Sequence, residues 1–553
     1  MKLTGSHLIV RALRAEGVDT AFALAGDHTL HLMDVMAADG FRFIDTRHEQ
    51  SAVGIATSWG RVTGTPGVCL FTTPGHANAI PGLTMAGYMG SPVINIVGCA
   101  PQDRLGSGAM QEIDQVGMAR PVTKGAWMVT DPYRIPEFMA RAFRTALTGR
   151  RGPVHLTVPL DVQEAEVDES RVRFYRPEEY RPTGPVLGDP ERVRDAIELL
   201  QSAQRPMAVA GNGAFSATRQ GLERLIEVTR MPLFTEEAAR GLVSDSHPYC
   251  FGLADGRTNP VATHLQDADV ILLLGKKLDF TLSFGGPPSL SAEAKIIQVE
   301  PSTDLIGLSR GVDLAIAGDV GAVVDQLAQE AERLEWKEHP MLGELESAGE
   351  ALERQLEELA EEPGDLHAMA VHKALRPMLD AESCLVFDGG DFPFFGMGYH
   401  PSRLPGRWIT NGALGMIGWG VPFAIGAQLA LPDTRVVVLS GDGSFGFLGM
   451  ELDTAVRHHL PVVVVMGNDA VWGMDYHQQV ALYKRPVATE LLTTRYDKIA
   501  EALGAHGEFV ETAEQLPGAL ERALNAGKPA LVNIRIKPFP SPLTDHIIKV
   551  KSG

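Results

Sequence analysis

Short runs of β-branched and aliphatic residues alternate with helical patterns along the whole chain, and that alternation narrows the fold more than any other feature. Residues 67–71, 93–97, 207–210, 270–274 and 295–299 are apolar runs of strand length, separated by stretches long enough to hold a helix. Alternation of this kind means parallel sheets with crossover helices. A chain of 553 residues is too long for one core, and a soft rule of about 150 residues per domain gives three or four. Two stretches break the alternation. Residues 171–190 are rich in proline and charge without apolar periodicity, which predicts a linker. The acidic pattern of residues 335–365, flanked by Pro340 and Pro363, predicts an exposed connecting helix. The expected organisation is therefore α/β, with three doubly wound parallel-sheet domains: residues 1–170, residues 191–340 after a linker at 171–190, and residues 366–553 after a connecting helix at 341–365.

Composition excludes several classes of function. Lys and Arg total 49 against 69 Asp and Glu, a net charge of −20, which argues against general nucleic-acid or anionic-membrane binding. The longest apolar runs, such as 436–439 and 461–466, fall far below the roughly 18 residues needed to cross a bilayer. The amino-terminal stretch runs straight into an amphipathic pattern without a leader, so a cytoplasmic protein is expected. Cys69, Cys99, Cys250 and Cys384 lie far apart with no zinc-ligand spacing, and are expected to be reduced core residues.

In doubly wound sheets, ligands gather at the carboxyl ends of the strands. The most informative such place is the run TRVVVLSGDGSFGFLGMELDTAVRHHLPVVVVMGNDAVWG, residues 434–473. It predicts a strand, a Gly-Asp-Gly turn, a helix and a second strand ending in Asn468-Asp469. A βαβ unit brings the two strand ends side by side, so Asp442 and Asp469, 27 positions apart, should meet. Two carboxylates and the Val471 carbonyl suit a hard cation that also grips phosphates, most simply Mg²⁺. Gly443 and Ser444 open the intervening helix, where free N–H groups face an anion.

These motifs strongly resemble the thiamine-diphosphate-dependent enzymes of the acetolactate synthase, benzaldehyde lyase and oxalyl-CoA decarboxylase group. Asp469 stands where that family usually has Asn, which adds one negative charge and should tighten cation binding. The stretch IDTRHEQSAVGIATSWGRVTGTPGVCLFTTPGHANAIPG resembles the family's pyrimidine-binding half. It implies that Glu49 is the activating glutamate facing N1′ of the aminopyrimidine, with Asn78 beside the cofactor. FDGGDF implies diphosphate contacts at Gly389, Gly390 and Asp391. NGALGMIGWGVPFAIGAQ implies that Gly415 receives the 4′-amino group on its carbonyl and that Ile417 holds the cofactor bent. No FAD motif stands out. The family also implies a homodimer or dimer of dimers, with the cofactor bridging two chains.

The reaction must come from the pocket residues, because decarboxylases, carboligases and lyases share this machinery. His28 and Gln111 align with carbonyl- or hydroxyl-orienting residues of lyase and synthase members. The last domain, with DGGDF, GND and ATELLTTRYD, looks most like bacterial 2-hydroxyacyl-CoA lyases, which implies cleavage of a 2-hydroxyacyl-CoA to formyl-CoA and an aldehyde or ketone. Glu490, in the segment expected to cover the substrate, is the candidate base for the 2-hydroxyl proton. A CoA substrate needs cations for its phosphates. Arg257, Lys276 and Lys277 near the strand VILLL are candidates, as are Lys537, Lys549 and Lys551. A carboligase acting on free 2-oxo acids or aldehydes is the alternative within enzymes, and a catalytically silent cofactor-binding protein is the alternative outside them.

Overall fold

The computed structural model describes residues 3–182 and 184–552. It contains three six-stranded sheets, all parallel, which is the three-sheet α/β architecture expected from the alternation. The first comprises β1 (Thr20–Ala23), β2 (Arg42–Asp45), β3 (Gly67–Phe71), β4 (Val93–Cys99), β5 (Ala126–Met128) and β6 (Pro153–Pro159), in the order β2-β1-β3-β4-β6-β5. The second comprises β7 (Pro206–Ala210), β8 (Leu233–Thr235), β9 (Cys250–Leu253), β10 (Val270–Leu274), β11 (Lys295–Glu300) and β12 (Leu314–Ala317), in the order β12-β11-β10-β7-β8-β9. The third comprises β13 (Cys384–Asp388), β14 (Trp408–Thr410), β15 (Val436–Gly441), β16 (Val463–Asn468), β17 (His506–Val510) and β18 (Ala530–Arg535), in the order β14-β13-β15-β16-β18-β17.

Each order reverses direction once. The neighbours β1 and β3, β7 and β10, and β13 and β15 send their following strands to opposite edges, so a crevice opens beyond their carboxyl ends. Central strands such as β4, β10 and β16 are buried along their whole length, which explains why they read as unbroken apolar runs.

The chain forms two compact units. The first unites Met1–Gly184 with Leu414–Pro432 and Met450–Leu460. Inside it the helix Gly420–Ala430 lies against the helix Glu49–Thr63 at glycine contacts: a Cβ at Gly54 would come within 2.9 Å of the Trp419 ring. The second unit holds the other two sheets. The stretch 171–190 is not wholly irregular. It carries a four-residue helix, Pro177–Tyr180, because the Tyr180 hydroxyl donates to Glu16 and Arg181 pairs with the same carboxylate. A helix does form at Met341–Ala360, with only Met341, Leu345 and Leu356 buried. The four cysteines are free and buried. Among the described residues, no helix is long and apolar enough to cross a membrane.

Candidate active site

In the second unit, the crevice at β13 and β15 is built from three strand ends. β13 ends at Asp388 and passes through Gly389 and Gly390 into the helix Asp391–Tyr399. Gly389 has φ +122, and a Cβ there would meet Ser444 Oγ at 2.6 Å, so this turn admits no side chain. β15 ends at Gly441, and Asp442, Gly443 and Ser444 begin the helix Asp442–Leu448. β16 ends at Asn468, and Asp469 follows it. The register pairs Gly441 with Gly467, so the two strand ends that carry Asp442 and Asp469 are neighbours, as the 27-position spacing requires.

The electrostatics of this place are unbalanced. Asp442 is 1% exposed, and burial pushes its pKa up to about 6. Burial, and then the charge of Asp442, raise Asp469 well above the ordinary carboxylate range. Asp442 Oδ2, Asp391 Oδ2, Asn468 Oδ1 and His477 Nε2 are all buried without a hydrogen-bond partner. Three of these are oxygen acceptors. Such a set is costly to fold unless something positive sits among it. Among the described residues no three His, Cys, Asp or Glu converge as a metal cage. Two carboxylates and a carbonyl, with the remaining positions left to water and phosphate, are nonetheless the donors that Mg²⁺ takes. Asp469 Oδ1 accepts from Val471 N at 3.2 Å. Trp472 N donates to Thr489 O and Leu491 N to Ala470 O, so the Val471–Glu490 bridge leaves the Val471 carbonyl outside the ladder. The residues therefore fit a cation-bridged diphosphate.

Asp391 also has a structural task. Its Oδ1 accepts from Ser541 N at 2.9 Å and Thr544 Oγ1 at 2.5 Å, which ties the start of the last helix, Pro542–Ser552, to this turn. Its carboxylate repels an anion, and a Cβ at Gly473 would lie 2.6 Å from Asp391 Oδ2 and 3.5 Å from Asp469 Oδ2. Asp391 thus adds to the negative charge beside Asp469. Glu490 is brought beside Val471 by backbone pairing, with its side chain exposed.

In the first unit, Glu49 opens the helix Glu49–Thr63, preceded by His48, whose Nδ1 accepts from Gln50 N at 3.1 Å. The carboxylate is 7% exposed. Asn78 Nδ2 donates to Oε2 at 3.0 Å, so Asn78 orients the glutamate. Oε1 has room only because residue 75 is glycine, where a Cβ would stand 2.7 Å away. The turn before Glu49 is clamped by Glu451, which accepts from Arg47 N at 3.1 and 3.3 Å. No sequence signal pointed to Glu451. His28 is buried at the β1 and β3 crevice, with Nδ1 2.9 Å from Thr72 Oγ1. Gln111 is exposed in a turn at φ +61, held by Glu112, whose Oε2 accepts from Gly108 N and Ala109 N. It is Gln115, four residues on, that is buried and bonded to Thr73 and Thr157. Gly415 is exposed at φ +67 and Ile417 half-buried, both in the first unit.

The expected CoA cations are largely committed. Lys276 is 4% exposed, and its Nζ reaches Glu236 Oε2 at 2.7 Å, Asp279 Oδ1 at 2.9 Å and Thr281 Oγ1 at 2.6 Å. Its three protons are used. Arg257 forks onto Asp255 at 2.8 and 2.7 Å. Neither offers an uncompensated charge to a phosphate, which corrects the sequence reading. Lys277 is half-buried beside them. Lys537 lies over the Phe539 ring, and Lys551 donates to Gln478.

Comparison with known proteins gives the family. Residues 3–118 match the N-terminal TPP binding domain of thiamine pyrophosphate enzymes, residues 193–327 their central domain, and residues 388–534 their C-terminal TPP binding domain. The chain is 36% identical over 540 residues to the acetolactate synthase large subunit of Mycobacterium tuberculosis, covering 96% of this chain and 95% of that protein. It is 29% identical over 559 residues to 2-hydroxyacyl-CoA lyase 1 of Mus musculus, covering 97% and 94%. To oxalyl-CoA decarboxylase of Escherichia coli it is 30% identical over 567 residues, covering 99% and 97%.

Proposed function

The chain belongs to the thiamine pyrophosphate enzymes, and from that premise we propose that it is a Mg²⁺-dependent carboligase or lyase that makes or breaks a carbon–carbon bond next to a carbonyl. The observation that carries this reading is the pair of adjacent carboxylates, Asp442 buried and Asp469 half-buried, whose negative charges burial and mutual repulsion oppose and a bound cation would relieve. When bound, thiamine diphosphate supplies the electron sink for that bond. Asp442, Asp469 and the Val471 carbonyl hold the cation, while Gly389, Gly390, Gly443 and Ser444 leave room for the diphosphate. Glu49 holds and moves a proton at Oε1, its other oxygen being fixed by Asn78. His28 orients the substrate oxygen. Gly415 and Ile417 keep their family-implied contacts with the cofactor. The family implies that the active protein is a self-association of chains, with the cofactor bridging two of them.

For the substrate, the likeness to acetolactate synthase and the commitment of Lys276 and Arg257 to carboxylates favour a free 2-oxo acid such as pyruvate. The second reading, cleavage of a 2-hydroxyacyl-CoA to formyl-CoA, is supported by the 29% relative and by Glu490 beside Val471. One experiment separates them. The protein with thiamine diphosphate and Mg²⁺ is given pyruvate, short 2-hydroxyacyl-CoA esters or oxalyl-CoA, and acetolactate and formyl-CoA are measured. Acetolactate from pyruvate is expected. Formyl-CoA from the hydroxyacyl ester alone establishes the lyase instead, in which case Glu490→Gln should lower its kcat by about 10²- to 10⁴-fold. Loss of neither substrate with cofactor bound returns the protein to the silent class.

A further inference from the structure

His28 lies just beyond β1 and Thr72 just beyond β3, the two adjacent strands whose crossovers diverge, where ligands of doubly wound sheets bind. The imidazole can serve a substrate oxygen in two opposite ways, as a donor or as an acceptor, and its tautomer decides which. Beside it the first sheet carries a closed buried network whose proton directions follow by counting, and which leaves Thr73 as the hydroxyl between that network and His28. Gln115 Nε2 faces Gly98 O at 3.1 Å and Thr73 Oγ1 at 2.8 Å. A carbonyl only accepts, so the amide orientation is fixed. Gln115 Oε1 then takes the Thr157 hydroxyl proton at 2.8 Å, and Thr157 Oγ1 receives His155 Nε2–H at 2.8 Å. Asn95 Nδ2 spends its two protons on His155 Nδ1 and His76 Nδ1, at 3.1 and 3.2 Å, and His76 Nε2–H closes the ring on Gln115 O at 3.0 Å. Burial keeps both rings neutral, holding His76 down to about 4 and His155 well below its ordinary value.

Thr73, already an acceptor from Gln115, sends its own proton to Gly98 O at 3.2 Å or to His28 Nδ1 at 3.4 Å. The Thr72 hydroxyl, 8% exposed as a residue, has His28 Nδ1 as its single partner among the described residues. A buried hydroxyl proton seeks an acceptor, so the Nδ1 lone pair is the one that receives it. The backbone is pinned as well: His28 O accepts from Gln163 Nε2 at 2.8 Å, and a Cβ at Gly98 would stand 1.9 Å from that oxygen. His28 Nε2 makes no hydrogen bond among the described residues.

We propose that Thr72 is a positioning residue that holds His28 as its Nε2–H tautomer, so that the ring donates a hydrogen bond to the substrate oxygen and does not act as its base. This rests on the reading of His28 as a pocket residue. It also narrows the site, since removal of a hydroxyl proton must then fall to another group. Thr72 makes no side-chain cap to its helix, so replacing its hydroxyl removes no helix cap.

The test uses the full chain labelled with ¹⁵N-histidine, with His28→Gln identifying the His28 signals. The expected spectrum shows Nε2 protonated and Nδ1 bare. Thr72→Val should shift those signals toward protonated Nδ1 and lower kcat about 10- to 100-fold at unchanged KM and cofactor affinity, with Thr72→Ser restoring both. A protonated Nδ1 in the unmodified protein overturns the inference, even where His28→Gln is inactive. Wild-type turnover by His28→Gln instead removes the pocket reading, whatever the tautomer. The spectrum of the unmodified protein decides the tautomer without any variant having to fold.

Discussion

The second and third sheets share an architecture and place charged residues at the same topological position, yet they settle those charges in opposite ways. Beyond β8 and β10, Glu236 and Asp279 enclose Lys276, whose charge burial opposes but whose two partners hold above its ordinary pKa. Burial and the surrounding anions raise Glu236, while the ammonium holds Asp279 down. That crevice offsets much of its negative charge with its own ammonium. Beyond β13, β15 and β16, Asp391, Asp442 and Asp469 crowd together with no lysine or arginine among their recorded partners. A ligand cation has a stronger reason to enter the arrangement without an ammonium than the one with Lys276 at its centre, so internal charge balance, more than strand order, separates the two crevices.

The largest effect should come from removing a cation ligand. Asp442→Ala is expected to lose Mg²⁺-dependent thiamine diphosphate binding by more than the roughly 10- to 100-fold typical of an outer partner, measured by titration calorimetry with excess Mg²⁺. Full binding by that variant would place the cation elsewhere. The matching change in the second sheet, Lys276→Met, should leave cofactor binding intact in any molecule that folds, but strand the buried Glu236 and the half-buried Asp279. Its cost is about 3–5 kcal/mol of stability, read from denaturant unfolding followed by hydrogen exchange in β7 and β10. An unchanged midpoint would mean that the triad is solvated and the contrast false.

The first sheet supplies a third solution, neutral polar groups. His76 has an ordinary pKa of 6.5 and a folded one of about 4. Below pH 6.5 the unfolded chain takes up a proton that the folded chain refuses. The stability this group confers is therefore complete above pH 6.5 and lost progressively as pH falls toward 4, by up to about 3 kcal/mol, with His155 acting in the same direction. Amide exchange in the helix Thr73–Met89 should speed up over that window. A flat profile would show that His76 titrates normally.

How much of this was legible beforehand follows from the range of each interaction. The alternation fixes parallel sheets because a strand and its crossover helix are local in sequence. The 27-position interval works for the same reason: Asp442 and Asp469 end adjacent strands of one βαβ unit. Lys276 was misjudged because its partner Glu236 arrives 40 positions earlier from β8, across the reversal between β10 and β7, and nothing local announces it. The bonds of Asp391 to Ser541 and Thr544 were not legible because those partners come from the far end of the chain. Gln111 and Gln115 occur in one QEIDQ motif, and only the burial of the helix Gln115–Ala119 against Thr73 separates them.

The smallest effect concerns the substitution of Asp for the family's usual Asn at position 469, and it changes sign with conditions. Without cation, Asp469 is a half-buried carboxylate facing Asp442, and burial and repulsion both oppose its charged form. Asn is nearly isosteric and keeps an oxygen for Val471 N, which donates at 3.2 Å. Asp469→Asn should therefore stabilise the cofactor-free protein, by about 1 kcal/mol once solvent access to the half-buried group is allowed for. With Mg²⁺ and thiamine diphosphate bound, the same change removes a negative donor from a doubly charged cation, so the variant should gain less from ligand than the wild type does. Thermal midpoints with EDTA and with saturating Mg²⁺ and cofactor test both halves. A crossing of the two proteins' midpoints is expected: the variant higher without ligand, the wild type higher with it. A variant that is lower in EDTA as well would mean that the carboxylate pair shares a proton or a water strongly enough to stabilise the empty crevice. The third sheet would then balance its charges much as the second does.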